Sequence, residues 1–332
     1  MSIPQESFHA CSISMVKNEA DIIESFVRFH TSFLGTMVIL DNGSSDNTPI
    51  ILQKLLAEGL PIDIISFDNG YNQCAIMNEL MHYAVKKHAP DSIIPLDADE
   101  FLHCDSNPAY TLKKLGSNHV FSYLWRTYVV TPQDDPAEHF IPAKMQHRRD
   151  PQYETFRKVI IPAPLVHKYS LQLSRGNHFV TGDSSLSVRN VDVLALAHYP
   201  IRSLEQYYAK TLMGGLRLMS RYEENPYASL HRKMAYEALK KGEPIDITQK
   251  SLNYANFSEI PFTSLKRSKL NYTFCNDLEM RYTELAQTNA WNSLLLLAEQ
   301  MAHELQELRM KNPAGATASC GLIDSLPGTL QP

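Results

Sequence analysis

The chain lacks the features of membrane-spanning, nucleic-acid-binding and signal-peptide-bearing proteins. Its 332 residues carry a formal net charge of −5, so no global positive field favours nucleic acid or an anionic membrane surface. No apolar run approaches the ~20 residues that a transmembrane helix needs. The first residues lack the charged and apolar regions of a signal peptide. These absences predict a soluble cytoplasmic protein, and they are compatible with peripheral attachment to the inner face of a membrane.

Cysteine is also scarce. The five cysteines are scattered and form no Cys-x-x-Cys pair: Cys11, Cys74, Cys104, Cys275 and Cys320. This spacing argues against a zinc knuckle and against a disulfide framework.

Short apolar strands alternate with helical patterns over the first hundred residues. Hydrophobic residues make up 44% of the chain, enough for one large domain or one domain with an appendage. The patterns predict strands at 11–16, 36–40, 62–67 and 93–96, and helices at 19–33, 50–58 and 73–88. Such alternation predicts an α/β fold with a mostly parallel sheet flanked by helices.

Three polar clusters follow predicted strands, at residues 17–19, 41–44 and 97–100. Ligands of parallel sheets bind beyond the carboxyl ends of the strands, so we expect the clusters to converge. Asp97 and Asp99 are two apart and would share one face of an extended strand. Paired carboxylates suit Mg²⁺ or Mn²⁺, which could hold the phosphates of a nucleotide. Pro95 is unexpected in a central strand, because it removes a ladder donor.

These motifs together resemble glycosyltransferase family 2 and its relatives. The resemblance rests on residues 14–22 (SMVKNEADI), 41–48 (DNGSSDNT) and 96–102 (LDADEFL), and a further stretch, residues 197–210 (AHYPIRSLEQYYAK), is similar to a later motif of these transferases. It implies the GT-A type of Rossmann-like fold over roughly residues 10–215. We therefore expect a GT-A domain at 1–215, a helical C-terminal region at 216–311 and a disordered tail at 312–332.

The resemblance also implies donor-binding residues. Asp41 would contact the base or ribose, although its loop could equally form only a capped turn. The first strand's end would flank the base through Val16, Lys17 and Asn18, with a merely solvated Lys17 as the alternative. Further candidates of the nucleotide site are Asn72, Gln73, Asp97 and Ala98.

A metal site and a phosphate site follow from the same motifs. Asp97 and Asp99 would bind Mn²⁺ or Mg²⁺, and a neutral His198 could add a third ligand or be structural. Arg202 and Lys210 would hold the leaving pyrophosphate. Ser203 is also typical of a helix N-cap, with Gln206 at the third helical position.

The expected acceptor and base residues have weaker signals. Glu100, Trp125, Arg126 and His178 are the acceptor-site candidates, but a core role for Trp125 and a structural role for His178 remain open. For the general base the candidates are Asp183 and, behind it, Glu154.

Towards the C-terminus, helices are predicted at 204–219, 227–240 and 277–311. The last carries a leucine stripe that would pack in a core, form a homodimer seam or dock to a membrane-bound acceptor.

The expected activity is metal-dependent, inverting transfer of a sugar from a nucleotide-sugar donor, UDP-linked by preference. The acceptor would be a glycan, a lipid-linked molecule or a protein. Two alternatives stay open: a nucleotidyltransferase on a related sheet, and a non-catalytic nucleotide-sugar binding module. The loop after the first strand, residues 16–20, contains no glycine, which disfavours the nucleotidyltransferase.

Overall fold

The structure is a computed structural model that describes residues 8–67, 72–152, 156–219, 230–256, 258–287 and 290–311. Glu154 and the predicted tail at 312–332 lie outside these residues, as does the predicted helix start at 227–229.

Strands and helices alternate through the first half of the chain. In order they are β1 Ala10–Val16, α1 Ile23–Thr31, β2 Thr36–Asp41, α2 Thr48–Ala57, β3 Ile62–Ser66, α3 Gln73–His88, β4 Ser92–Pro95, β5 Glu100–His103, α4 Pro108–Leu115 and β6 Val120–Val129. The rest are α5 Ile141–Lys144, β7 His147–Arg149, β8 Arg157–Pro162, α6 Ala163–Lys168, β9 Gln172–Leu173, β10 Val180–Thr181, β11 Val188–His198, α7 Leu204–Met219, α8 Leu230–Lys240, α9 Ile247–Leu252, β12 Leu265–Arg267 and α10 Ala290–Lys311.

The predicted α/β class, with a Rossmann-like sheet flanked by helices, is confirmed. Strands β4, β1, β2 and β3 lie side by side and are all parallel. The chain runs from β1 outwards to β3 and then returns to the other side of β1 as β4. The crevice between the ends of β1 and β4 is therefore the switch point at which such sheets bind ligands.

Beyond β4 the sheet is mixed. Strand β8 is antiparallel to both β4 and β6, and β7 continues the sheet antiparallel to β6. Strand β11 pairs in parallel with β6 and antiparallel with β5. The parallel character predicted from strand–helix alternation thus holds for the first four strands, since these have helical crossovers, and ends where connections become short.

Pro95 is accommodated by its place at the last position of β4. This strand pairs with β8 only through Ser92 and Ile93, so the missing N–H of Pro95 falls beyond that ladder. On the other side of β4, Leu96 still donates its N–H to Ile13 of β1.

Two predicted helices are shorter in the structure, and in both the residues left outside the helix make tertiary hydrogen bonds. Residues 19–22 precede α1, and the N–H groups of Glu19 and Ala20 donate to Thr48 and Asp46 instead. Of the helix predicted at 277–311, residues 290–311 form α10, residues 277–287 are not helical, and residues 288–289 lie outside the described part of the chain. Within 277–287, Arg281 and Tyr282 donate their backbone N–H groups to the buried carboxylate of Glu24.

The hydrophobic core lies on both faces of the central sheet. Cys11, Cys74, Cys104 and Cys275 are free thiols. None of the helices in the described part of the chain has both the length and the apolar content that a bilayer crossing needs.

Candidate functional site

A cleft of about 900 Å³ opens at the carboxyl ends of β1 and β4. One side is lined by the loop after β1, with Val16, Lys17 and Asn18, and the floor by Asp97, Ala98 and Asp99. These residues converge as the sequence predicts, because β1 and β4 are parallel neighbours that end at the same edge of the sheet.

Asp97 is held from behind by a fully buried ammonium group. Lys158 Nζ lies 3.0 Å from Asp97 Oδ2 and 2.9 Å from Glu100 Oε1. Glu100 also accepts the backbone N–H of Asp97 at 2.9 Å. Burial raises the pKa of Glu100 above its ordinary range, against the opposing charge of Lys158. The predicted acceptor role does not fit Glu100, because its carboxylate is buried behind the cleft floor.

Asp99 faces three nitrogen-bearing side chains. Its carboxylate oxygens lie 3.4 Å from Lys210 Nζ, 3.7 Å from His198 Nε2 and 3.7 Å from Arg202 Nη1. Burial alone would raise the pKa of Asp99, but the positive charge of Lys210, foremost, lowers it well below its ordinary value. Asp99 is therefore ionised at neutral pH.

The register between β11 and β5 places His198 next to Asp99. His198 stands opposite Glu100 in the β11–β5 pair, and Tyr199 donates its N–H to the backbone carbonyl of Asp99 at 2.8 Å. Burial lowers the pKa of His198 to about 4. The imidazole is thus neutral at neutral pH, which is the form that binds metals.

Arg202 connects the motif at 197–210 to the motif at 14–22 through buried ion pairs, an arrangement that we call the clamp. Its Nε and Nη2 donate to Asp21 at 2.7 Å each, and Nη2 also donates to Glu19 at 2.7 Å. With its side chain only 1% exposed, Arg202 does not line the cleft as a predicted pyrophosphate ligand should. Lys210 does line the cleft, and its side chain is 40% exposed.

The capping pattern predicted at α7 is present. Ser203 Oγ accepts the N–H of Gln206 at 3.1 Å, and the Gln206 side chain accepts the N–H of Arg202 at 3.2 Å. The cap orients the start of α7, which carries Lys210 to the cleft one and a half turns later.

Asp41 shapes its own loop. Both carboxylate oxygens accept the N–H of Ser44, and Oδ1 also accepts its hydroxyl. The side chain is buried and lies outside the cleft lining. Ser44 in turn accepts the N–H of Asn18 at 2.9 Å, so Asp41 acts on the cleft through the loop after β1. The geometry agrees with the capped-turn alternative for Asp41.

The two candidates at the start of α3 differ in position. Asn72 is the N-cap of α3, and its Oδ1 accepts the N–H of Ala75 at 3.2 Å. Gln73 lines the cleft.

An aromatic wall closes the side of the cleft next to β6. Trp125 stacks on His198 with ring centroids 4.3 Å apart, and His178 lies edge-on to Trp125 at 5.7 Å. Both Trp125 and His178 line the cleft. Arg126 does not, because successive side chains of β6 point to opposite faces and its charge acts on His103 instead.

The predicted base Asp183 is not brought to the site. It is exposed in the loop that follows β10, and its backbone contacts Tyr169 and Leu186.

The cluster around Asp99 is rich in acidic side chains. Five carboxylates, those of Glu19, Asp21, Asp97, Asp99 and Glu100, meet three permanent cations, Lys158, Arg202 and Lys210. Burial in this acid-rich cluster also raises the pKa of Glu19. The donor set of Asp99 and His198 fits Mn²⁺ or Mg²⁺ in chemistry. However, no group of three His, Cys, Asp or Glu side chains converges as a metal site among the residues that the structure describes.

No protein-family profile and no curated protein matches the chain. Among solved structures, it is similar to TarS 1–349 of S. aureus in complex with UDP, with 12% identity, 76% of each chain covered and a TM-score of 0.39. It is also similar to the mannosyltransferase PcManGT of Pyrobaculum calidifontis in complex with GDP-Man and Mn²⁺, with 13% identity, 72% of this chain and 74% of that chain covered and a TM-score of 0.39. A third similar structure is a putative glucose-1-phosphate thymidylyltransferase of Bacillus anthracis, with 7% identity, 65% of this chain and 97% of that chain covered and a TM-score of 0.34. At these scores the likeness carries no argument about function.

The sequence reasoning included Glu19 in the polar cluster at 17–19 but not its ion pair, and it missed three further residues at the site. Asp21 stands inside the first motif, and its spacing of two from Glu19 was the available signal. Lys158 is one lysine in an apolar strand, and nothing local marks its two carboxylate partners. Tyr254 lines the cleft from the C-terminal region, where the sequence has no recognisable pattern.

Proposed function

We propose that this protein is a glycosyltransferase that moves a sugar from a nucleotide-sugar donor, UDP-linked by preference, to a hydroxyl acceptor. The observation that carries the proposal is the position of Asp97, Ala98 and Asp99. They form the floor of a large cleft at the switch point between β1 and β4, which is where parallel sheets bind nucleotides.

Donor binding is assigned to the side of the cleft next to β1. The loop carrying Val16, Lys17 and Asn18 offers backbone groups and one ammonium, and Gln73 faces it from α3. Asn18 is fixed by Ser45, whose N–H it accepts at 2.7 Å. A loop held in this way is preorganised for a nucleoside.

The diphosphate is assigned to the neighbourhood of Asp99. Asp99 and His198, with Asp97 beside them, would hold Mn²⁺ or Mg²⁺, which when bound supplies Lewis-acid stabilisation of the leaving group. Lys210 adds a partly exposed positive charge on the same side. Transfer with inversion is the expected course: the acceptor oxygen bonds to the anomeric carbon as the bond from that carbon to the diphosphate breaks, and the hydroxyl proton passes to a base.

A homodimer through α10 is part of the proposal. The helix packs on α7 with the face that contains the buried Leu297. A neighbouring face of the helix leaves Trp291 74%, Leu295 56% and Leu305 49% exposed, with the exposed Ala298 and Ala302 between them. These five positions follow the 4-3-4-3 spacing of a coiled-coil seam about 21 Å long.

The seam is self-complementary for a second, antiparallel copy. Leu295 would then lie opposite Leu305, and Ala298 opposite Ala302, so that small residues meet at the centre of the crossing. One helix pair of this length lies at the small end of specific interfaces, and we expect a weak, concentration-dependent dimer.

The test measures turnover of a panel of UDP- and GDP-sugars in the presence of Mn²⁺. The readout is release of the nucleoside diphosphate. Asp99→Asn should lower turnover at least about 100-fold, because it removes the ionised group next to the leaving phosphates. Asp105→Asn is the matched control, since Asp105 is an exposed acid outside the cleft. Full turnover by the Asp99→Asn protein would reject the proposed site.

Product identity separates the rival activity. A nucleotidyltransferase would instead release pyrophosphate from a nucleoside triphosphate and a sugar phosphate. That product, without nucleoside diphosphate, would reject glycosyl transfer. Binding of UDP without turnover of any donor would favour a binding module.

A further inference from the structure

One wall of the cleft is built by residues 253–256, far along the chain from the motifs that form the floor. This segment follows α9 and includes Ala255 with a positive φ of 56°, a left-handed conformation that disfavours alanine. Such a conformation persists only where surrounding contacts hold it. The segment is therefore fixed by its tertiary partners.

Arg149 supplies that fixation. It is fully buried at the end of β7 and donates Nη1 to the backbone carbonyls of Leu252 at 3.2 Å and Tyr254 at 3.0 Å. Its Nη2 donates to Thr127 Oγ1 at 2.6 Å. One guanidinium thus ties the wall segment to β6, the strand that also carries Trp125.

The tie produces a continuous row of rings. His198 stacks on Trp125 with ring centroids 4.3 Å apart, and it also meets the ring of Tyr254 at 5.3 Å and 64°. Trp125, His198 and Tyr254 all line the cleft. Aromatic faces with a polar edge suit a ligand that has both apolar C–H faces and hydroxyl groups, as a sugar ring does.

The sheet order separates this row from the donor loop. Strands β6 and β7 lie on one side of β4, whereas β1 lies on the other. A donor bound against the loop after β1, with its diphosphate at Asp99, would therefore present its sugar towards the row of rings. In that arrangement the acceptor would approach from the side of the rings.

We propose that Tyr254 is an acceptor-recognition residue that contacts a sugar ring of the acceptor, and that Arg149 is its positioning residue. This inference rests on the proposed glycosyl transfer and names its acceptor class as a carbohydrate. It also makes the C-terminal region a part of the site.

The test uses Trp125 as an internal reporter. The chain has two tryptophans, so Trp291→Phe leaves Trp125 as the sole tryptophan, which can be excited selectively over tyrosine. In this background, with UDP and Mn²⁺ present, methyl glycosides of glucose, galactose, mannose and N-acetylglucosamine are titrated. We expect at least one glycoside to change the Trp125 emission. Tyr254→Ala should weaken its binding about tenfold, the effect of losing one ring contact.

The control variants separate contact, positioning and fold. Tyr110→Ala removes an exposed tyrosine of α4 and should leave glycoside binding unchanged. Arg149→Met should weaken glycoside binding but leave UDP affinity within about twofold. Thr127→Val is a milder variant, because it removes only the hydroxyl that accepts the hydrogen bond from Arg149. Arg149→Lys, which keeps a donor, should restore part of the glycoside affinity.

Three results judge the inference. Unchanged glycoside affinity in Tyr254→Ala overturns it, and so does the lack of any glycoside response in a protein that binds UDP. In that second case the proposed function stands with a different acceptor class. Failure to bind either UDP or GDP overturns the proposed function, and a glycoside response that depends on Tyr254 would still support a carbohydrate site.

Discussion

Replacing Arg202 with methionine decides whether this arginine holds the fold or the substrate. The guanidinium is 1% exposed and makes three hydrogen bonds of 2.7 Å to Asp21 and Glu19. Methionine fills a similar volume but leaves both carboxylates without this partner. Removing one member of a buried ion pair costs about 3–5 kcal/mol, because the remaining charge stays desolvated.

The expected loss can be expressed as a melting temperature. Unfolding entropy is about 2.1 cal/mol/K per residue, so 332 residues give about 0.7 kcal/mol/K. The loss of about 3–5 kcal/mol then lowers the melting temperature by about 4–7 °C. Lys210 remains 3.0 Å from Glu19 and should keep the loss from exceeding this range.

Thermal melting followed by circular dichroism measures the shift. Arg267→Met, at an exposed arginine of β12, is the matched control and should melt with the wild type. A triple variant with Arg202→Met, Glu19→Gln and Asp21→Asn should recover most of the loss, since no uncompensated charge remains. A single variant that melts within about 1 °C of wild type but loses donor turnover would refute the clamp and make Arg202 a phosphate contact.

Two further predictions concern pH and association. His30 is buried, its Nδ1 bonds to the Phe26 carbonyl at 2.8 Å, and burial lowers its pKa to about 3. In the unfolded chain His30 takes up a proton near pH 6.5. The contribution of neutral His30 to the free energy of unfolding is therefore complete above that pH and falls by up to about 4–5 kcal/mol as the pH drops towards 3. Urea unfolding at pH 7, 5 and 4 should show this slope in the wild type and a flatter one in His30→Leu; parallel slopes would contradict the assignment. For association, Leu305→Glu should make the protein monomeric in sedimentation at concentrations where the wild type dimerises. The control Lys240→Glu, on α8, should leave the dimer intact. A wild type that is monomeric at all concentrations would contradict the proposed dimer through α10.

The sequence predicted the parts of the fold that depend on local pattern. Strands β1 to β4 and the helices between them follow from apolar periodicity, and their parallel order follows from the helical crossovers. The segment 277–287 could not be predicted in the same way. Its leucine pattern favours a helix, but Glu24 accepts the N–H groups of Arg281 and Tyr282, a contact between residues more than 250 positions apart.

The same limit applies to the site. Asp97, Asp99 and His198 were expected together, and the structure places Asp99 beside His198 because the β11–β5 register fixes it. Arg126 lies outside the cleft lining, and the sequence could not show this because a motif does not reveal which face of β6 a side chain occupies. Lys158 was missed because pairing with Asp97 across 61 residues leaves no local trace.

Burial divides the three cations of the site into two roles. Lys158 and Arg202 are enclosed, and each is saturated by carboxylates at 3.0 Å or less. Such groups hold acids in place and have no surface to offer a ligand. Lys210 is 40% exposed and lies 3.4 Å from Asp99, so it can turn from the carboxylate to an incoming phosphate without leaving the cleft. The resemblance to known transferases implied one phosphate role for both Arg202 and Lys210. Of these two, Lys210 lines the cleft, so the proposed phosphate role rests on Lys210, whereas Arg202 holds Glu19 and Asp21 in place.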